Sequence, residues 1–100
     1  MRVVAVARDG RALRWPSKRP ADALDYGIDW SARLDGDAIV GSEFKLPPGI
    51  VASSSSYSAT VATAWLVAGV EGRAYLVVNR VITKAGRIMH QAVKLKIKSK

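Results

Sequence analysis

The strongest constraint on the fold is an alternating pattern near the C-terminus. A period of two produces a strand with one buried face and one solvated face. Residues 73–82 form a second apolar run, and a turn at 83–86 joins the two segments. The pattern predicts two paired strands in an all-β domain, with a row of ammonium groups on one surface. The alternating residues are Val93, Lys94, Leu95, Lys96, Ile97 and Lys98.

Similar strand signals recur through the rest of the chain. Residues 24–30 and 38–46 alternate apolar and polar side chains, and residues 60–67 are rich in β-branched residues, which favours a strand over a helix. Six to eight short strands with frequent turns are typical of an antiparallel sandwich. The large residues at these positions predict the core, which comprises Trp30, Trp65, Tyr75, Val77, Val93 and Leu95. Tyr75 follows Gly72 closely, so its hydroxyl either bonds back to the chain at a corner or simply packs in the core.

The N-terminal segment has its own signals. Two short apolar runs flank Asp9-Gly10, which favours a tight turn, so residues 1–15 are predicted to form a β-hairpin arm. Pro16 and Pro20 predict a hinge at residues 16–21. Residues 22–100 then form the sandwich. The apolar residues of the arm need burial, either on their own sandwich or against a neighbouring subunit, and the neighbour is favoured.

The composition argues against most chemistry. The 100 residues contain no cysteine and one histidine, His90. This excludes disulfides, thiolate nucleophiles and metal sites built on histidine clusters. The serine run at 53–56 has no nearby base, and no glycine loop for phosphates exists. We therefore expect no catalytic, metal or cofactor site, and no enzyme activity.

Charge is unevenly distributed along the chain, which carries a formal net charge of +8. Six basic side chains lie in residues 1–20 and eight in 73–100, whereas 21–72 hold seven of the eight acidic ones. This arrangement predicts docking to an acidic partner, to nucleic acid or to another copy of the chain. Nucleic acid is not favoured, because the basic C-terminal strand lacks aromatic residues for base stacking. The candidate interface residues are Arg2, Arg8, Arg11, Arg14, Trp15, Arg87, Lys94, Lys96 and Lys98.

Two further alternatives are weaker. An exposed Trp15 or Tyr57 would support carbohydrate binding, although little else in the sequence does. No apolar run is long enough to cross a membrane, and residues 3–7 are too short for a secretory signal, so we expect a soluble protein without a membrane partner.

Two blocks of sequence resemble a known family. Asp25-Tyr26-Gly27-Ile28-Asp29-Trp30, with Leu34, Gly36-Asp37-Ala38-Ile39 and Pro48-Gly49-Ile50, is similar to a motif of small virion proteins from tailed bacteriophages and prophages. The second block begins at Trp65-Leu66-Val67-Ala68-Gly69 and continues through residues 72–83 to Gly86-Arg87. These proteins are of the fibre–tail adaptor, or tail structural, type. The resemblance covers about residues 20–98 and excludes the N-terminal arm.

The resemblance implies an immunoglobulin-like sandwich that acts by assembly without catalysis. It implies other tail or fibre proteins as partners, a homo-oligomeric ring in the particle, and a location in the virion after synthesis in the host bacterial cytoplasm. The alternative is a basic β-module that binds nucleic acid in the host cell.

Overall fold

The computed structural model describes residues 1–99, which form eight strands and one short helix. Four strands make sheet A, in the order β1-β3-β6-β5, and four make sheet B, in the order β2-β8-β7-β4. The predicted all-β sandwich is confirmed. The elements are β1 (Arg2–Ala5), β2 (Leu13–Arg14), β3 (Leu24–Asp29), α1 (Ser31–Leu34), β4 (Ile39–Lys45), β5 (Ile50–Tyr57), β6 (Val61–Ala68), β7 (Ala74–Thr83) and β8 (Ile88–Lys96).

The predicted N-terminal hairpin is wrong, because β1 and β2 do not pair with each other. β1 pairs in parallel with β3 in sheet A, and β2 pairs in parallel with β8 in sheet B. Asp9-Gly10 does lie in a turn, with Gly10 at a φ of 71°, but this turn crosses between the two sheets. An isolated two-stranded ribbon is marginal in water. Splitting the segment gives each strand a full sheet to pair with and places Val6 and Trp15 in the core.

The segment after β2 continues along β8. The Lys18 amide donates to the Lys96 carbonyl at 3.2 Å, and the Lys98 amide donates to the Lys18 carbonyl at 2.9 Å. The buried Lys18 side chain donates its Nζ to the carbonyls of Ala68 and Arg19 at 2.5 and 2.7 Å, and burial lowers the pKa of this amine. One packed unit therefore contains residues 1–15, residues 16–21 and the sandwich. Their division into arm, hinge and domain stays a prediction.

Two buried hydrogen bonds join the sheets. The Trp30 indole Nε1 donates to Asn79 Oδ1 at 2.9 Å, and Asn79 Nδ2 donates to Ser42 Oγ and the Glu43 carbonyl, both at 3.0 Å. Trp15 Nε1 donates to the Gly27 carbonyl at 3.0 Å. These bonds satisfy groups that would be costly to bury alone, so they fix how the sheets stack.

The predicted core is confirmed except at Trp65. Trp30, Tyr75, Val77, Val93 and Leu95 are buried, whereas Trp65 is 44% exposed. β6 turns its face of smaller side chains inward, and the buried rings of Trp15, Tyr26 and Trp30 belong to the same core. The inward residues of β6 are Ala62, Ala64 and Leu66.

Two local irregularities matter for the faces of the sandwich. A register shift between Ile39 and Gly41 leaves Ile39 buried and Val40 exposed. The second irregularity is the corner before β7, where the Val70 amide donates to the Tyr75 hydroxyl at 2.9 Å. Of the two predicted roles of Tyr75, the hydrogen bond back to the chain is therefore the one observed. Gly49 packs on this hydroxyl with a φ of 104°, where a Cβ atom would lie 2.9 Å from the oxygen.

Candidate functional site

The outer side of sheet B carries most of the basic strand residues. In register, Lys94 lies beside Arg14 of β2 and Leu76 of β7, and Lys96 lies beside Ala74. The strands of sheet B hold five basic residues against one acid, Glu43. We call this outer side the basic face; its basic residues are Arg14, Lys45, Arg80, Lys94 and Lys96.

Apolar side chains lie between these charges. Leu76 is 55% exposed, Ile88 is 54% exposed and Ile82 is 36% exposed. Ile82 and Ile88 are direct cross-strand neighbours, and the next pair along the same face is Arg80 and His90. Leu76 lies six residues before Ile82 in β7, so the exposed aliphatic side chains form two small separate sites on this side of the sheet. The basic face contains no aromatic side chain apart from the imidazole of His90.

The outer side of sheet A has a different character. Strands β3, β5 and β6 contain no lysine or arginine, and β3 contributes Asp25 and Asp29. Asp25 lies opposite Trp65, which has Ser54 on its other side. We call this outer side the acidic face; its apolar members are Met1, Val3, Val51, Trp65 and Val67.

The acidic face continues from β3 to the N-terminal residues across Gly27. The side chains of Met1 and Val3 lie over this glycine, where a Cβ atom would come within 3.2 Å of each. β1 can therefore bring its apolar side chains next to the centre of sheet A. The Asp29 carboxylate is held locally, because it accepts hydrogen bonds from the Ser31 amide and hydroxyl at 2.9 and 2.6 Å.

The predicted interface residues divide into separate groups. Arg14, Lys94 and Lys96 lie together on the basic face, and the exposed Lys98 continues their row past the end of β8. The structure places the remaining cations elsewhere. Arg2 lies 5.8 Å from the centre of the Tyr26 ring at the edge of sheet A.

The arginines of the first turn bond to nearby acids. Arg8 pairs with Asp35, and Arg11 pairs with Asp9; all four side chains are more than half exposed. The hydrogen bond from Arg11 is the main cause of the lowered pKa of Asp9. These pairs hold the chain where it crosses between the sheets, so their charges are partly neutralised locally.

Arg87 belongs to a structural cluster in the turn between β7 and β8. Its Nη1 lies 2.7 Å from Asp37 Oδ2, and the Asp37 side chain is only 6% exposed. Hydrogen bonding by the Thr83 hydroxyl, then by the amides of Ala38 and Ala85 and by Arg87, lowers the pKa of Asp37 to about 2. The guanidinium of Arg87 therefore stabilises the contact between the loop before β4 and the turn after β7.

Trp15 does not lie on the surface. It is 2% exposed and packs 5.1 Å from the Tyr26 ring, so its predicted place at an interface or carbohydrate site is wrong. This large apolar ring fills the space between the sheets beside β3. Tyr57 is 48% exposed, but its hydroxyl donates to the Val40 carbonyl at 2.7 Å.

Sequence reasoning missed two exposed apolar residues, Trp65 at the middle of the acidic face and Leu76 on the basic face. Strand parity alone could have placed Leu76 outside, because it alternates with Tyr75 and Val77, both predicted to be buried. Parity does not decide Trp65, because either face of residues 61–68 is apolar enough to be buried. The structure shows that β6 buries its face of smaller side chains and leaves Trp65 outside.

Within residues 1–99, no three His, Asp or Glu side chains come together in a way that would hold a metal ion. No helix in this part of the chain is long and apolar enough to cross a membrane.

No curated protein matches the sequence. The solution structure of the PKD domain from the KIAA 1837 protein aligns with a TM-score of 0.45 and 19% identity, covering 85% of this chain and 93% of that chain. The profile of the podophage GP4 fiber-tail adaptor protein gp77 family matches residues 18–96, through both sheets of the sandwich. The chain therefore belongs to the podophage GP4 fiber-tail adaptor protein gp77 family.

Proposed function

We propose that this protein is a structural component of a phage tail, at the junction between tail and fibre, and that it acts by binding alone. The observation that carries this proposal is the family match over residues 18–96. We place the protein in the virion after its synthesis in the host bacterial cytoplasm, with other tail or fibre proteins as its partners. The sandwich supplies what such a component needs, namely a rigid core with two chemically distinct outer faces.

The proposal includes assembly into a homo-oligomeric ring. A closed ring turns weak contacts into a stable assembly, because the contact that closes it is intramolecular and every subunit then makes two contacts. The basic face is the proposed assembly surface, and Arg14, Lys94 and Lys96 are its charged members. The loops and the sheet edges at β4 and β5 then remain for contacts with other tail and fibre proteins.

The test is particle assembly with matched charge reversals. Lys94→Glu reverses a charge on the basic face, whereas Lys84→Glu reverses an exposed charge in the turn between β7 and β8. We expect particles from the Lys94→Glu genome to carry fewer copies of the chain and fewer fibres, and Lys84→Glu particles to resemble wild type. Mass spectrometry of purified particles measures the copies, and electron microscopy counts the fibres. Normal copy number and normal fibres with both variants would refute a role for the basic face.

Deleting the gene tests the function itself. Without this chain, we expect tails that lack fibres, and the wild-type gene supplied in trans should restore them. Fully fibred, infectious particles without the protein would contradict the proposal.

Nucleic-acid binding is the second candidate, and the five cations of the basic face favour it. It predicts a gel shift with DNA or RNA that weakens steeply as salt rises, because phosphate contacts release counterions. The missing aromatic side chains on this face argue against base stacking. A shift abolished by Lys94→Glu but not by Lys84→Glu would favour this candidate over assembly.

A further inference from the structure

We propose that the acidic face of one copy binds the basic face of a second copy, in a head-to-tail contact. This inference deepens the proposed function, and it rests on that function in taking self-assembly as the use of these faces. It names both surfaces of the contact and the residues at the centre of each.

Charge complementarity is the first argument. Sheet B holds five basic residues against one acid, whereas sheet A holds two acids and one base, Arg2, whose guanidinium lies over the Tyr26 ring at the sheet edge. The two faces lie on opposite sides of the sandwich, so two copies can stack with unlike charges in contact. Two basic faces brought together would repel, because no more than one acid per copy is present to offset five cations.

The apolar centres are the second argument. Trp65 is 44% exposed at the middle of the acidic face, with Asp25 and Ser54 as its cross-strand neighbours. Leu76 is 55% exposed on the basic face, beside Lys94. An indole ring can receive both an aliphatic side chain and an ammonium group, the latter through its π-face. Exposed tryptophans surrounded by polar groups are frequent centres of protein interfaces.

The size of the faces predicts a weak contact. Four strands about 4.8 Å apart, with a mean length of about seven residues at about 3.3 Å per residue, give roughly 440 Å² per face. The pair would bury roughly 900 Å², slightly below the about 1,000 Å² expected of a stable specific interface. A ring compensates for a weak contact, because every subunit makes two of them.

Opposite faces also determine the type of assembly. A contact between two different surfaces leaves one free copy of each surface at the ends of a dimer, so growth continues until the rotation closes a ring. An isologous contact would stop at the dimer. This difference makes the proposal testable with two complementary variants.

The first variant loses the acidic face through Asp25→Asn and Trp65→Ser. The second loses the basic face through Leu76→Ser and Lys94→Ser. Neutral replacements are used so that the two altered faces gain no attraction for each other. The control, Val70→Ser with Lys84→Ser, removes one exposed apolar and one exposed basic side chain outside both faces. Circular dichroism and urea unfolding establish that all the variants are folded before association is measured.

Sedimentation velocity at low salt is the readout. We expect wild type and control to associate beyond the dimer as concentration rises, and each face variant alone to remain a monomer. An equimolar mixture of the two variants should give a heterodimer of twice the monomer mass and nothing larger. This follows because one intact acidic face and one intact basic face remain in the mixture.

Three results would overturn the proposal. Wild type could remain monomeric at every concentration, one face variant could still form dimers alone, or the mixture could fail to associate. None of these results affects the gene-deletion test of tail function. Loss of fibres on deletion together with a monomeric wild type would leave the adaptor function standing and refute the contact named here.

Discussion

At the scale of single residues, a few buried polar groups decide how the two sheets meet. Asn79 uses both ends of its amide, accepting from Trp30 and donating to Ser42 and the Glu43 carbonyl. The Lys18 ammonium group is also hydrogen-bonded inside the fold, because it donates to the carbonyls of Arg19 and Ala68. Such groups stabilise only one arrangement of the strands, because any shift leaves them unsatisfied.

The two central tryptophans should differ sharply in their effect on stability. Trp30→Ala removes a fully buried ring and should cost about 3–5 kcal/mol of unfolding free energy. Trp65→Ala removes a half-exposed ring and should cost only about 1 kcal/mol. Urea denaturation of both variants measures the difference. Equal losses would mean that Trp65 is buried in solution.

Asp37 should make stability depend on acid pH. Its pKa in the folded protein is about 2, below the ordinary value of 3.8. Because the folded value is the lower one, the stabilisation is complete above about pH 4 and is lost as pH falls through about 2. Asp37→Asn should flatten the pH dependence of the unfolding midpoint in that window.

The matched control for this prediction is Asp35→Asn. Asp35 lies in the same turn, but its carboxylate is 60% exposed and accepts from the exposed Arg8. We expect the acid dependence of Asp35→Asn to follow wild type. If Asp37→Asn also follows wild type, its carboxylate does not contribute to acid stability.

At the scale of elements, the N-terminal strands close the sandwich. β1 is an edge strand of sheet A, and β2 is an edge strand of sheet B. Residues 1–15 therefore complete both sheets, although they lie outside the residues that the family profile matches. β1 runs parallel to β3, and β2 runs parallel to β8. The remaining strand pairs are antiparallel, and short loops connect two of them, β5 with β6 and β7 with β8.

Deleting residues 1–15 should therefore unfold the isolated monomer. The deletion removes Trp15 and Val6 from the core, and the loss of a buried tryptophan alone costs about 3–5 kcal/mol out of a typical total of about 5–15 kcal/mol. Circular dichroism and urea unfolding measure the effect, with Arg8→Ala plus Arg11→Ala as a control that spares the core. A stable truncated domain that only assembles poorly would instead support an exchanged arm.

At the scale of the whole molecule, charge is divided between the two layers. The acidic middle of the sequence supplies the outer side of sheet A, and the basic ends supply most of sheet B. Interactions between such surfaces are screened by salt, since the Debye length is about 8–10 Å near physiological ionic strength. Assembly through the basic face should therefore weaken as salt rises.

The triple variant Lys94→Ser, Lys96→Ser and Lys98→Ser tests this dependence. We expect weaker association at low salt and a smaller response to added salt, both measured by sedimentation. The control, Arg8→Ser with Arg11→Ser and Lys84→Ser, removes the same charge away from the basic face. If the lysine variant associates like wild type at all salt concentrations, its row serves only solubility and protection against edge pairing.

The sequence by itself determined the strands, the buried side of β8 and the outward row of lysines, because a period of two is a local property. It also determined the family, since both motifs lie in the part of the chain that the profile matches. It did not determine which strands pair at the N-terminus, because a turn signal at Asp9-Gly10 is equally compatible with a hairpin and with a crossing between sheets. Nor did it determine the places of Trp15 and Trp65. Only the tertiary structure decided these, because burial depends on long-range packing: Trp15 packs on Tyr26 and donates to the Gly27 carbonyl, whereas β6 buries its face of smaller side chains.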